Sequence, residues 1–387
     1  MAERLAGKDD LILVLNSGSS SLKFSIYRRG ASDEEPVLTG SAEGIGRGNG
    51  TLNIRSSDGK TIVAKESIHE SQSDALTALA EAIREHIQTA PVAVGHRVVH
   101  GGPNLLTHQL ITPKVLGQLR AAVHFAPLHI PQALTLITSA ETIFPSAAQY
   151  ACFDDAFHQT MPEVASHLPL PQHYFDAGIR RYGFHGLSYE SLVRRLGSQV
   201  PERAIFAHLG NGASLCALRN GRSIDTTMGL TPTGGIPMGT RSGDLDPGVF
   251  LYFMRNKKLG ADELEDLVNH QSGLFALSSG ESDVKALEER TLRNDPRAVL
   301  ALDVFATSIR KAIGAYVALL GGIDLLVFTG GIGEHSNYIR SRATAGLEVL
   351  GLPADKIQVV PTQEEQQIAF HCRAMMRQQP SERTLLR

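Results

Sequence analysis

LILVLNSGSSSLKFSIY, residues 11–27, opens on five consecutive apolar side chains, Leu11 to Leu15, turns through Asn16–Ser21 and leaves on an alternating stretch. A short apolar run bounded by Gly and Ser reads as a buried strand, and the alternation after the turn reads as a second, antiparallel strand. Gly18 leaves the turn backbone unobstructed, Ser19, Ser20 and Ser21 add hydroxyls, and Lys23 follows on the second strand. Successive backbone N–H groups, hydroxyls and one lysine suit an anion. Taken alone, the turn is a weak signal, and an ordinary hairpin is the commoner reading.

Working outward, the pattern recurs at AIFAHLGNGASLCAL (204–218), where Gly210 and Gly212 permit close backbone approach to a phosphate. A third apolar strand, Leu325–Thr329, runs into the glycine turn of FTGGIGEHS (328–336). Three glycine turns, each after an apolar strand, favour phosphate binding. Neither GxxxxGK[ST] nor GxGxxG occurs, which argues against a P-loop or a dinucleotide-binding Rossmann site. Two strand–turn–strand units nearly two hundred residues apart suggest two similar halves, an inference from architecture more than from residue identity.

Other elements are legible between them. Leu76, Leu79, Ile83 and Ile87 have helical spacing with Ser73 as N-cap, and after Pro91 the stretch VAVGHRVVH (92–100) reads as a strand. Asp295 and Pro296 look like the cap and first residue of a long apolar helix ending near Leu320. His185 precedes a helix that Ser188 would cap. TTMGLTPTGGIPMGTRSGDLDPG (226–248) holds too many Gly, Pro and Thr residues for a core element, and such long irregular segments are usually functional when they are not disordered.

The bulk properties narrow the function classes. At 387 residues two domains are expected, and 42% hydrophobic with 20% charged residues is a globular composition. A net charge of −3 offers no basic excess for nucleic acid or an anionic membrane. Three scattered cysteines, Cys152, Cys216 and Cys372, form no CxxC pair, so neither a disulfide framework nor a zinc site is expected and a reducing, cytoplasmic location fits. No apolar run approaches membrane-spanning length.

Candidate chemistry sits in four further motifs. GHRVVHGGP (95–103) puts Arg97 near a strand end, FAPLHIP (125–131) places His129 between prolines, CFDDAFHQTMP (152–162) carries Asp154 and Asp155, and RRYGFHGLS (180–188) carries His185. Arg241 and Asp244 lie within the irregular segment. Among fifteen histidines most serve structure, and no HExxH pair argues for zinc.

These motifs, with APLH, TPTGGIPMGTRSGDLDPG and TQEEQQIA (362–369), resemble the acetate kinase family in order and spacing from Leu11 to about Ala369. The resemblance implies an α/β fold of two ribonuclease-H-like, actin-like ATPase domains with an active-site cleft between them. Residues 1–156, completed by 367–387, would form the N-terminal domain and 157–366 the nucleotide-binding C-terminal domain. It further implies reversible phosphoryl transfer between ATP and acetate with Mg²⁺ (or Mn²⁺), a homodimer, and no nucleic-acid or membrane partner.

By motif, Asp154, His185, Arg241, Arg97 and His129 would be catalytic, and Val99, Leu128, Phe184 and Pro232 would line an apolar acetate pocket with Arg97. Asn16, Ser21, Lys23, His208, Leu209, Gly210, Asn211, Gly212, Asp283, Val284, Lys285, Gly331, Ile332, Gly333, Glu334 and His335 would contact nucleotide. Asn16 and Glu364 would attend the metal. Ile130, Lys285 and His335 stand where the family commonly has Asn, Arg and Asn, and the tail 370–387 is unlike the usual ending.

The residue types suit that reaction. A carboxylate substrate is already ionised at neutral pH, so no general base is needed, and the barrier lies in bringing an anion onto a triphosphate. Arginine forks, a donor histidine and a divalent cation answer it. Direct in-line transfer is expected, with an aspartyl-phosphate route as alternative. Propionate or butyrate kinase is the neighbouring reading, and a non-catalytic actin-like nucleotide-binding module the distant one.

Overall fold

A computed structural model describes residues 10–18, 20–87 and 89–378. Ser19 and the tail beyond Gln378 lie outside the described residues. The chain divides into two compact units, one within Met1–Ala156 and Gln363–Arg387, the other Phe157–Thr362.

The first unit is built on β1 (Ile12–Ser17), β2 (Ser21–Arg29), β3 (Glu34–Glu43), β4 (Thr51–Ser56), β5 (Thr61–Glu66), β6 (Ala93–Val98), β7 (Gln109–Leu110) and β8 (Ala148–Phe153). They form one sheet ordered β5-β4-β3-β2-β1-β6-β8-β7. The opening hairpin is as read: β1 pairs antiparallel with β2, setting Asn16 opposite Lys23. β6 lies parallel to β1 and β8 parallel to β6. The helices Gln72–His86 and Ile130–Ile143 pack against each other and reach the sheet, while Glu364–Gln378 packs on β1, β6, β3 and β2. Helical cover explains why Ile12–Leu15 of β1 are all apolar and buried and why Ser25 and Tyr27 of β2 are buried as well. Gly95 is required by this packing, because a Cβ there would lie 2.6 Å from Ile368 Cγ2 and 2.7 Å from Cys372 Sγ.

The first helix corrects one expectation. Its N-cap is Ser71, not Ser73, and Ser71 and Asp74 satisfy each other's backbone N–H groups in a capping box. Ser73 lies one residue inside the helix, with its hydroxyl accepting from Ser139 Oγ.

The second unit carries β9 (Arg203–Leu209), β10 (Ala213–Arg219), β11 (Arg222–Thr226), β12 (Leu325–Thr329) and β13 (Ile357–Val359) in the order β11-β10-β9-β12-β13. β9, β10 and β11 form an antiparallel meander, and β12 runs parallel to β9 with β13 parallel to β12. The core of the first sheet, β3-β2-β1-β6-β8, has the same order and directions. Each unit thus contains the arrangement expected of a ribonuclease-H-like half, a likeness carried by topology where residue identity is faint. The long helix spans Pro296–Leu320, with the Asp295 carboxylate accepting from the backbone N–H groups of Arg297 and Ala298. Gly321 ends it in the left-handed conformation.

Candidate active site

In the first unit the polar centre forms where β1, β6 and β8 end. Arg97 donates from Nε and Nη2 to Asp154 Oδ2 at 3.0 and 2.5 Å, and from Nη1 to Asn16 Oδ1 at 3.1 Å. The Asn16 amide then donates to Glu365 Oε1 at 2.9 Å. Thus β1 supplies Asn16, β6 supplies Arg97, the residue after β8 supplies Asp154, and the start of the C-terminal helix supplies Glu364 and Glu365. Asp155, beside Asp154, accepts from the Gly101 backbone N–H at 3.0 Å and lies 3.0 Å from His100, so it holds the GG turn.

Charge in this cluster is unbalanced. Burial works against the Arg97 guanidinium, but Asp154 and Glu364 outweigh it and hold the group above its ordinary value. Burial pushes the Asp154 carboxyl up against the pull of Arg97, and Asp155 adds to the rise. The Glu364 carboxyl is pushed up to about 7, by burial first and by Asp154 and Glu365 next, while Arg97 and Lys23 oppose the shift. Asp154 Oδ1 is buried without a hydrogen-bond partner. Three carboxylates around one partly buried guanidinium, with a carboxylate oxygen left unpaired, offer oxygen donors that could hold a hard cation such as Mg²⁺.

A prediction arises here. A carboxyl whose folded pKa, about 7, exceeds its ordinary 4.5 binds more protons folded than unfolded in that window. Its contribution to stability therefore falls as pH rises from about 4.5 to 7, by on the order of 3 kcal/mol. Metal-free protein should show a lower Tm at pH 8 than at pH 5.5 from this group, and millimolar Mg²⁺ should raise Tm more at pH 8. An equal Mg²⁺ effect at both pH values would contradict the assignment.

The Asn16–Ser21 turn is held from outside: Gly18 N donates to Ser21 O at 2.8 Å, and Gln72 Nε2 donates to Gly18 O and Ser21 O at 2.9 and 3.2 Å. Lys23 is exposed on β2. His129 precedes the helix Ile130–Ile143, and no hydrogen bond from its side chain caps that helix. Val99 is half-buried and Leu128 exposed in this unit.

In the second unit the site is organised by β9, the central strand. His208 pairs with Ser214 on β10 and with Thr329 on β12, so the HLGNGAS and TGGIG turns leave the same end of the sheet. A Cβ on Gly330 would lie 2.7 Å from Leu209 O and 3.2 Å from His208 Nε2, so only glycine lets the second turn lie against the first. Glu334 is committed to that turn, accepting the backbone N–H groups of Gly330 at 3.0 Å and Thr362 at 3.2 Å. Gly331, Ile332, Gly333 and His335 complete the short helix Gly330–His335. Asp283 caps the helix Val284–Thr291, with Val284 buried and Lys285 exposed, and Ser336 Oγ donates to Glu288 of that helix.

His185 is not followed by a Ser188-capped helix. It occupies the N-cap position itself, in the left-handed conformation (φ 60°), and the helix runs Gly186–Leu196. Ser188 is inside the helix, where its hydroxyl bonds His208 Nδ1 at 2.8 Å. The preceding turn is fixed by buried His158, whose Nε2 lies 3.0 Å from Phe184 O and whose Nδ1 lies 2.8 Å from Ser223 Oγ. The His185 and His208 rings stack, centroids 4.2 Å apart at 23°. Phe184 is fully buried beside His185.

Arg241 donates from Nη1 to Pro232 O at 3.3 Å within the irregular Thr226–Gly248 segment. A Cβ on Gly212 would lie 3.2 Å from His185 Nε2 and 3.4 Å from Arg241 Nη1. The space over Gly212 is therefore bordered by both cation-forming groups, and glycine keeps it open. Gly212 is not in the left-handed region, so alanine should fold there. Gly212→Ala is expected to cut kcat/KM by about tenfold or more, since filling the space costs at least ~1.4 kcal/mol of transition-state binding. Tm should be nearly unchanged, and an unaltered kcat/KM would empty this space of function.

Two residues were not singled out for the roles the structure gives them. Glu365 bonds Asn16, where TQEE alone pointed to Glu364; the helical start that orients both is not visible in four residues. Gln72 had no local signal, because its partners lie more than fifty residues away.

Residues 11–375 match the acetokinase family. An acetate kinase of Methylocella silvestris is 39% identical over 95% of this chain and 98% of its own length, and one of Nitrobacter hamburgensis is 40% identical over 95% and 96%. Among solved structures, Porphyromonas gingivalis acetate kinase superposes with a TM-score of 0.85 at 33% identity, covering 95% of this chain and all of its own. A propionate kinase from Francisella tularensis gives 0.86 at 35% identity, covering 93% and 98%. With the same five-strand core order in both halves and a likeness spanning nearly every described residue, this chain belongs to the acetokinase family.

Proposed function

We propose that this protein is an acetate kinase, transferring the γ-phosphoryl group of ATP to acetate to give acetyl phosphate and ADP, reversibly and in line. One acetate oxygen forms the new P–O bond while the bond from the γ-phosphorus to the bridging oxygen breaks, and ADP leaves with that electron pair. The observation that carries the reading is the space over Gly212, bordered by His185 Nε2 and Arg241 Nη1, beside two glycine turns at one end of a parallel strand pair. Such donors stabilise charge that spreads onto phosphoryl oxygens, which is most of what phosphoryl transfer asks of a protein.

We take the two units as two domains whose residues serve one reaction. In the second unit, His208–Gly212, Asp283–Lys285 and Gly331–His335 would contact nucleotide, and Phe184 and Pro232 the acetate methyl. In the first, Asn16, Ser21 and Lys23 would attend the transferred phosphoryl, Arg97 and His129 the carboxylate, and Val99 and Leu128 the methyl. Asp154 and Glu364, with Asn16, would hold Mg²⁺ or Mn²⁺, which when bound neutralises charge on the phosphate oxygens. Arg97 orients Asp154 and Asn16 for that task and offers no proton to the chemistry.

A homodimer is proposed from family likeness, and a reducing, cytoplasmic location from three buried free cysteines. Among the described residues no helix is long and apolar enough to cross a membrane.

Hydroxylamine trapping with ATP, Mg²⁺ and acetate should give acetohydroxamate in proportion to ADP. Nucleotide binding without hydroxamate from acetate, propionate or butyrate would instead favour the non-catalytic module. A higher kcat/KM for propionate would move the protein beside its Francisella relative; one methylene is worth only about 1–3 kcal/mol in such a pocket. Inversion at a chiral γ-phosphorus is expected, and retention would support the aspartyl-phosphate route.

A further inference from the structure

Behind His185 lies a buried hydroxyl relay with no direct part in binding. His185 Nδ1 is 2.9 Å from Ser214 Oγ. Ser214 Oγ is 2.6 Å from the Tyr189 hydroxyl, and the same hydroxyl donates to the Ser214 carbonyl oxygen at 2.9 Å. Tyr189 and Ser214 are fully buried, Tyr189 packing among Phe157, His158 and Phe206.

Proton bookkeeping over these three contacts has one solution that leaves none empty. A carbonyl oxygen only accepts, so the single Tyr189 proton goes to the Ser214 carbonyl. The short contact between the two hydroxyls must then be filled by the Ser214 proton, donated to the Tyr189 oxygen. Ser214 Oγ is left as an acceptor, and the contact with His185 requires a proton on Nδ1. The reverse order, Tyr189 to Ser214 to His185, places two acceptors 2.9 Å apart at the carbonyl with no proton between them.

We propose that Tyr189, acting through Ser214, is a positioning residue that fixes neutral His185 as the Nδ1–H tautomer, so that Nε2, the nitrogen beside Gly212, can donate a hydrogen bond only when the ring is doubly protonated. The consequence deepens the proposed function and rests on it: His185 acts on the phosphoryl group as a cation, never as a neutral donor. The charged or titratable groups facing this relay within the unit include His208, stacked on the ring, Arg241, across the Gly212 space, His158, edge-on to Tyr189 with centroids 5.8 Å apart, and the buried Tyr316 phenol of the helix Pro296–Leu320, which interacts with Tyr189.

The test has a spectroscopic arm independent of turnover. In ¹⁵N-histidine-labelled protein at alkaline pH, His185 should show a protonated Nδ1 and a bare Nε2. Tyr189→Phe keeps the ring packing but frees the Ser214 proton to donate to Nδ1, and should move the ring proton to Nε2. Ser214→Ala, which removes the acceptor altogether, should also release the ring towards Nε2–H, and serves if Tyr189→Phe does not fold. Tyr182→Phe, losing a buried phenol bond to Gly178 O, is the control and should leave the His185 spectrum unchanged.

In activity, wild-type kcat/KM should fall about tenfold per pH unit above the His185 titration. Tyr189→Phe should flatten that limb to less than about threefold per unit while lowering the maximum. A wild-type ring protonated at Nε2, or an Nδ1–H signal that survives both substitutions, overturns the proposal. If His185→Ala retains wild-type kcat, the functional reading fails while the tautomer assignment stands on the spectrum.

Discussion

Arg241→Ala is expected to lower kcat by about 10²- to 10³-fold, the cost of about 3–4 kcal/mol when one oriented donor to developing charge is lost. The backbone under Arg241 is held independently of its side chain. Gly273, at φ +64°, sits so close that a Cβ would be 2.1 Å from Met238 O and 2.7 Å from Arg241 O. Ser272 N donates to Thr240 O at 3.0 Å and Leu274 N to Met238 O at 2.9 Å. The irregular loop is therefore rigid where it carries the guanidinium, and truncating the side chain should leave Tm nearly unchanged. Arg241→Lys keeps the charge but loses the planar fork, and should fall between alanine and wild type. A kcat within a few-fold of wild type for the alanine variant would remove Arg241 from the reaction.

Arg97→Ala should be costly in a different way. It strips Asp154 of both bonds to Oδ2 while the carboxylate stays 1% exposed and its other oxygen is already unpaired. Leaving a buried charge without its partner costs about 3–5 kcal/mol, which for a unit of this size lowers Tm by on the order of 10 °C. Activity should be lost as well, since Asn16 and Asp154 lose the group that aims them. The double variant Arg97→Met/Asp154→Leu separates the two effects, because apolar side chains of similar volume replace a buried pair without penalty. It should recover most of the stability and none of the activity. A double variant as unstable as Arg97→Ala would place the cost in the other partners of Arg97, Asn16 and Glu364, and not in Asp154.

What the sequence disclosed follows from how local each signal is. The hairpin 11–27, the strand pair 204–218 and the cap at Asp295 are decided by residues adjacent in sequence, and all three form as expected. Ser71 rather than Ser73 as N-cap turns on a reciprocal partner at Asp74, which apolar spacing does not report. Ser188 precedes an apolar run and resembles a cap, but the left-handed turn at His185 starts the helix earlier and sends the hydroxyl to His208. The β3–β5 meander escaped notice because Glu34–Glu66 mixes polar and apolar residues without clean alternation. At the site, glycine turns and arginines were visible as residue types. Their partners, Gln72, Ser214, Tyr189 and Glu365, were not, because each is met through a tertiary contact.

The helix Glu364–Gln378 lies over β1, β2, β3 and β6, strands made hundreds of residues before it. On the ribosome, the opening sheet thus emerges with its apolar face bare and waits for nearly the whole chain before it is covered, whereas Phe157–Thr362 holds every strand of its own sheet in one continuous stretch. The order of birth is therefore the reverse of the order of completion: the later-made half can mature first, and the earlier one keeps a sheet face uncovered until Glu364–Gln378 has been made.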